Sequence, residues 1–168
     1  MTGRFLLIAL ALALSAAACG DDDPLDAYYD DVAGVTTAYA AEVSELPIAA
    51  TDSSLEDVRA FFSGVSDSLG RALADLEAIS PPESMAQQHR EFIVSMAEFA
   101  GLAERAAEGA AAMETQNDLI DMANDPEIGV TNFGALRSET IAACLLLQRT
   151  AETGGIDVDL KCRSFDPR

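Results

Sequence analysis

The chain has 168 residues, with 10 Lys and Arg against 29 Asp and Glu, a formal net charge of −19, and 49% hydrophobic residues. So acidic a surface excludes DNA and RNA as partners, because a phosphate backbone is bound through a basic patch that releases counterions, and anionic lipid head groups are repelled for the same reason. The apolar content excludes a disordered polyanion: it suffices to offset chain entropy in one folded domain, and because much of it is alanine with few β-branched runs, the expected fold is all-α.

Met1 to Arg4 carries one positive side chain, and Phe5 to Leu14 is an unbroken run of Phe, Leu, Ile and Ala. Together they match the charged and apolar regions of a secretory signal peptide, and the run falls well short of the roughly 20 apolar residues that span a bilayer. Residues 1–18 are therefore expected to be removed. Ala16-Ala17-Ala18-Cys19, preceded by Leu14 and Ser15, resembles the lipobox of bacterial lipoproteins, with Ala16 standing where leucine is commonest. The resemblance implies that Cys19 becomes the first mature residue and carries acyl chains. The alternative is an ordinary small-x-small cleavage at Ala16-x-Ala18 that releases a secreted, non-lipidated bundle.

Cysteine parity favours lipidation. Of three cysteines, attachment of lipid at Cys19 leaves Cys144 and Cys162 as a pair, and an exported protein is spared an odd thiol. Two or more acyl chains anchor stably, at about 0.8 kcal/mol per buried methylene. Residues 19–23, ending in Asp21-Asp22-Asp23, then form an acidic tether, and residues 24–168 one helical-bundle domain. Only Arg4 of the chain's charges lies in the leader, so the remainder carries a net charge of −20.

In chain order, Asp23-Pro24 reads as a helix cap followed by proline at the first helical position. Leu25, Tyr28, Val32, Val35, Tyr39, Val43 and Leu46 then recur every three or four residues as one apolar face, which Pro47 ends. Ser53-Ser54-Leu55-Glu56 reads as a capping box for a second helix running to Ile79. Gly64 and Gly70 within it suggest close approach of a neighbour or a slight kink. Ser80-Pro81-Pro82-Glu83 stops that helix and offers a further capping box, so the second and third helices should form an antiparallel hairpin.

Met85, Phe92, Phe99, Ala106, Met113 and Ile120 fall every seven residues, with His89, Met96, Ala103, Ala110 and Asn117 between them. This seam predicts one long helix from about 82 to 123, roughly 60 Å at 1.5 Å per residue. Asn124-Asp125-Pro126 is a loop, and a fourth helix starts near Thr131 or Asn132 and leaves through Gly154-Gly155. The expected architecture is an antiparallel four-helix bundle. Residues 156–162 alternate apolar and acidic side chains as an extended tail does. About 14 Å of helix separates Cys144 from the end of the fourth helix. Seven extended residues reach up to about 25 Å, so the tail can fold back and bond Cys162 to Cys144, at a gain of about 3 kcal/mol.

No grouping of residues marks a reaction. The single histidine, His89, excludes a two- or three-histidine zinc site, and Gly-x-Ser-x-Gly and phosphate-binding glycine loops are absent. A di-iron bundle needs Glu-x-x-His, and position 86 is alanine. Met85 and His89 one turn apart read as packing ahead of haem ligation. Asp118, Asp121, Asn124, Asp125 and Glu127 lack the ligand spacing of a calcium loop and read as a polar helix end. No catalytic, cofactor or metal residue is nominated. The expected function is a non-enzymatic, lipid-anchored interaction or structural module of the cell envelope, with the membrane and an envelope protein as partners. A ligand- or cation-binding envelope protein is the alternative.

Overall fold

Helix α1 (Pro24–Ser44) begins where an oxygen cap meets proline: the Asp23 carboxylate accepts from the Leu25 amide at 2.9 Å, and Pro24 takes a position that needs no amide hydrogen. The structure is a computed structural model and describes residues 23–47 and 53–166. The buried face of α1 is Tyr28, Tyr29, Val32, Thr36 and Tyr39. Thr36 sits there at no polar cost because its hydroxyl donates to the Val32 carbonyl at 3.1 Å.

Helix α2 (Leu55–Ala78) is capped one residue later than the sequence suggested. Ser54 accepts from the Asp57 amide at 3.1 Å and its hydroxyl donates to the Asp57 carboxylate at 2.7 Å, so the pair is Ser54 with Asp57. Gly64 admits the side chain of Leu46, which a Cβ there would strike, whereas Gly70 faces open space. The Ser80–Glu83 box does not form. Pro82 remains extended, and a 3-10 turn over Glu83–Met85 leads into α3 (Ala86–Ala112). The two prolines hold the chain extended past Ser80, so helical geometry begins only after Pro82.

The continuous helix expected over 82–123 is broken. Met113 turns extended, and a separate helix α4 (Gln116–Asn124) comes after it. Three side chains, two local and one from α2, outweigh the seven-residue repeat at this point. Thr115 and Asp118 form a capping box, and the Asp118 carboxylate accepts from the amides of Glu114 at 2.7 Å and Thr115 at 2.8 Å. Arg59, at the start of α2, donates to the carbonyl of Ala110, which also accepts from the Met113 amide, and to that of Met113 at the end of α3. Length supplies the rest of the reason: at about 40 Å, α3 already matches α2 and α5, and a further run of about 16 Å would carry apolar residues past the bundle. Gly109 is the landing place of the returning chain, since a Cβ there would stand 3.2 Å from Ile128 and 3.3 Å from Met122. Ile120, the last residue of the repeat, is 56% exposed.

Because Asp118 is held below the usual carboxylate range chiefly by those two backbone amides, Asp118→Ala is expected to fray α4. Hydrogen exchange should quicken in residues 116–124 and stay unchanged in 86–110.

Helix α5 (Val130–Thr153) ends through Gly155, whose φ of 83° is the left-handed exit. Contacts fix the directions of the bundle. Glu42 meets Arg71, Arg59 meets Ala110, and Phe99 meets Phe133 while Ser95 meets Thr140, so α1, α2, α3 and α5 run up and down in turn. One main core, containing Phe92, Phe99, Leu69, Leu76 and Leu147, joins these four helices and the tail. A smaller cluster of Val58, Ala110 and Met113 sits beneath α4. The described residues thus form an all-α bundle of four long helices with a short fifth at one end.

Candidate functional site

Chemistry-bearing side chains gather in three places, of which the C-terminal tail is the most elaborate. The non-helical residues 156–160, the left-handed Lys161 and a 3-10 turn over Cys162–Phe165 run back along α5. Gln148 binds them as a strand would: its amide nitrogen donates to the Val158 carbonyl and its oxygen accepts from the Leu160 amide at 2.8 Å. One turn earlier on α5, Cys144 and Cys162 are bonded, with S–S 2.04 Å and Cα atoms 5.5 Å apart. Two turns earlier still, Arg137 pairs with Asp166 at 2.7 Å. The two cysteines proposed as a pair are thus brought together.

This tail closes the side of the bundle that helix packing leaves open. α1 packs chiefly on α2 and on the Cys162–Phe165 turn, while α5 packs on α3 and on that same turn. Leu160 and Phe165 are fully buried there. Phe165 stacks on Tyr39 with ring centroids 4.8 Å apart and meets Phe92 edge-on at 6.0 Å. Gln148, Arg137 and Phe165 carry no local signal of these roles. Gln148 lies inside an apolar stripe, and Phe165 is a lone aromatic beyond the last periodic segment.

The second place surrounds His89. The first turn of α3 carries its ring into the core, where Nδ1 lies 3.1 Å from the Tyr28 hydroxyl and the rings meet edge-on at 5.6 Å. The ring also bonds the backbone carbonyl of Leu76 near the end of α2. A neutral imidazole offers one donor and one acceptor, so the Leu76 carbonyl and the Tyr28 hydroxyl satisfy it. Tyr29 donates to the Met85 sulfur at 3.5 Å, so the Met85 and His89 pair is built into the packing through its own partners. Burial pushes the Tyr28 hydroxyl up, helped by Tyr29, so it remains a neutral donor.

Burial lowers the His89 pKa, with the Leu76 carbonyl opposing. The folded chain therefore binds fewer protons than the unfolded chain below the ordinary histidine value near 6.5. The resulting stability is full above that value and is lost as pH falls through the depressed folded pKa. Wild-type stability should fall as pH drops below the ordinary histidine value, and His89→Gln should flatten that slope relative to wild type, as read from denaturant midpoints on the acid side of neutrality.

The third place is the acidic stretch around α4. Two of its carboxylates turn onto backbone amides at opposite ends of the helix: Asp118 caps the start, while Asp125 accepts from Glu127 at 2.7 Å and Ile128 at 3.0 Å. Asn124 donates to the Ile120 carbonyl. Among the described residues no group of three or more His, Cys, Asp or Glu is placed to hold a metal ion, and no helix is long and apolar enough to cross a membrane. The leader and Cys19 lie outside the described residues. Comparison of the chain with protein families, with curated proteins and with solved structures finds no match in any of the three.

Proposed function

We propose that this protein is a lipid-anchored module of the bacterial cell envelope that works by binding another envelope protein, without catalysis. The observation that carries the reading is the Cys144–Cys162 bond. Disulfides persist in oxidising compartments, and pairing these two cysteines leaves Cys19, directly after an apolar leader and three alanines, as the remaining thiol. On this reading Gly20 to Asp23 is a short hydrophilic tether between the acyl chains and the first turn of α1. The bundle hangs by the end that holds Tyr28 and His89, and the end that carries α4 faces outward. The acidic surface resists adsorption to anionic head groups, so membrane residence rests on the lipid.

The test is Cys19→Ser. The wild type should fractionate with membranes, its intact mass showing acylation at residue 19 and the loss of two hydrogens for one disulfide. The variant should move to the soluble fraction. Unchanged fractionation of the variant, or a bare amino end at residue 19 in the native product, overturns the anchor. Cross-linking in detergent-solubilised envelopes should then capture one recurrent protein partner, and its absence counts against the binding role.

A further inference from the structure

The Cys144–Cys162 bond joins two sulfurs in unequal surroundings. Cys144 is fully buried on α5, whereas Cys162 is 5% exposed and lines a surface groove of about 510 Å³ between α1, α5 and the tail. Lys161 and Arg163 flank it in that groove, in a chain where acidic residues outnumber basic ones nearly three to one. Glu152 and Asp159 also line the groove, and Asp159 pairs with Lys161 at 2.6 Å, so Arg163 is the flanking cation that no carboxylate neutralises among these contacts. A cation beside a disulfide sulfur favours approach of the thiolate that attacks it.

The segment that carries Cys162 is held by the Gln148 bonds to Val158 and Leu160 and by two buried side chains. Leu160 and Phe165 are buried, but between them the chain passes through Lys161, whose φ of 49° is the one left-handed non-glycine conformation among the described residues. The Arg137–Asp166 pair lies at the surface, with more than half of the Asp166 side chain in solvent, and such pairs hold little. Against these contacts stands the chain entropy of residues 156–166, which the covalent bond withholds.

We propose that Cys144–Cys162 is a reducible latch: a dithiol reductant attacks Cys162 through the groove, and residues 156–166 then come away from the α1–α5 side of the bundle. In the first step the reductant's thiolate bonds to the Cys162 sulfur as the Cys144–Cys162 bond breaks, and Cys144 leaves as a thiolate that takes a proton from solvent. The reductant's second thiol then displaces Cys162 as a thiolate, which is protonated in turn. The protein gains two electrons and two protons, and the reductant ends as its own disulfide. Departure of the tail uncovers the ring of Tyr39 on α1 and the edge of Phe92 on α3. This inference does not depend on lipidation of Cys19.

The experiment treats the full oxidised chain with dithiothreitol in the absence of denaturant, counts free thiols by alkylation and mass, and follows hydrogen exchange by peptide. Both cysteines should alkylate under native conditions. Amides within 156–166 should then exchange about tenfold faster or more, while those of α3 stay within about threefold of the oxidised chain. The double variant C144S/C162S should show the same pattern without reductant. A bond that yields only at denaturant concentrations that also unprotect α3 overturns the proposal, as does a fully reduced chain in which 156–166 keeps its protection.

Discussion

Phe165→Ala is expected to lower the stability of the oxidised chain by about 3–5 kcal/mol, seen as a fall in the denaturant midpoint at unchanged slope. The ring is fully buried between Tyr39 and Phe92, so its removal forfeits the transfer of a whole aromatic side chain and both ring contacts. Relaxation offers little relief. The disulfide pins the chain three residues earlier at Cys162, so the backbone cannot slide freely to close the cavity. The upper part of the range is therefore favoured, since a cavity that cannot collapse costs most. Asp166→Ala is the control: a surface ion pair contributes about 0–1 kcal/mol, and its loss should leave the midpoint close to wild type. A Phe165→Ala change of under about 1 kcal/mol would mean that the aromatic ring does not complete the core.

Loss of the disulfide is the second large effect. C144S/C162S should be about 3 kcal/mol less stable than the oxidised wild type, because the bond closes a loop of sequence separation 18 and withholds that closure entropy from the unfolded chain. Serine adds a smaller penalty at position 144, which is fully buried and lies with its sulfur 3.9 Å from the Leu160 carbonyl, too far for a good hydroxyl bond. Comparison with C144A/C162A separates the two contributions, since alanine removes the bond without burying a hydroxyl. Oxidised and reduced wild type with identical midpoints would show that the bond contributes nothing to the fold. Global melts measure the whole loss; amide exchange locates it along residues 156–166.

Two features of the tail are legible in the order of the residues: its extended form, from the alternation of apolar and acidic side chains, and its cysteine partner, from reach and parity. Its function in the fold is not. Nothing local to Phe165 says that the space between Tyr39 and Phe92 is empty, and nothing local to Gln148 says that a strand-like segment will pass it. Those facts exist only once α1 and α5 have taken positions that leave a gap. His89 stands between the two cases. Its place on a buried seam is readable from the seven-residue repeat, whereas its partners, Tyr28 at a sequence separation of 61 and the Leu76 carbonyl, belong to other helices.

The division has a physical cause. Signals confined to one turn of chain, such as Asp23 before Pro24, the Pro81-Pro82 stop and the Gly154-Gly155 exit, act on backbone geometry whatever surrounds them, so the number of long helices and the all-α class could be read from residue order alone. Where two local signals competed, as the repeat through Met113 did with Thr115 and Asp118, tertiary contacts chose between them: Arg59 reached across from α2 to take the carbonyls at the break, and Ile128 and Met122 packed back against Gly109. Which side chains fill the α1–α5 gap was likewise settled by packing, since close-packed space is a property of all the helices together and is written in no one of them.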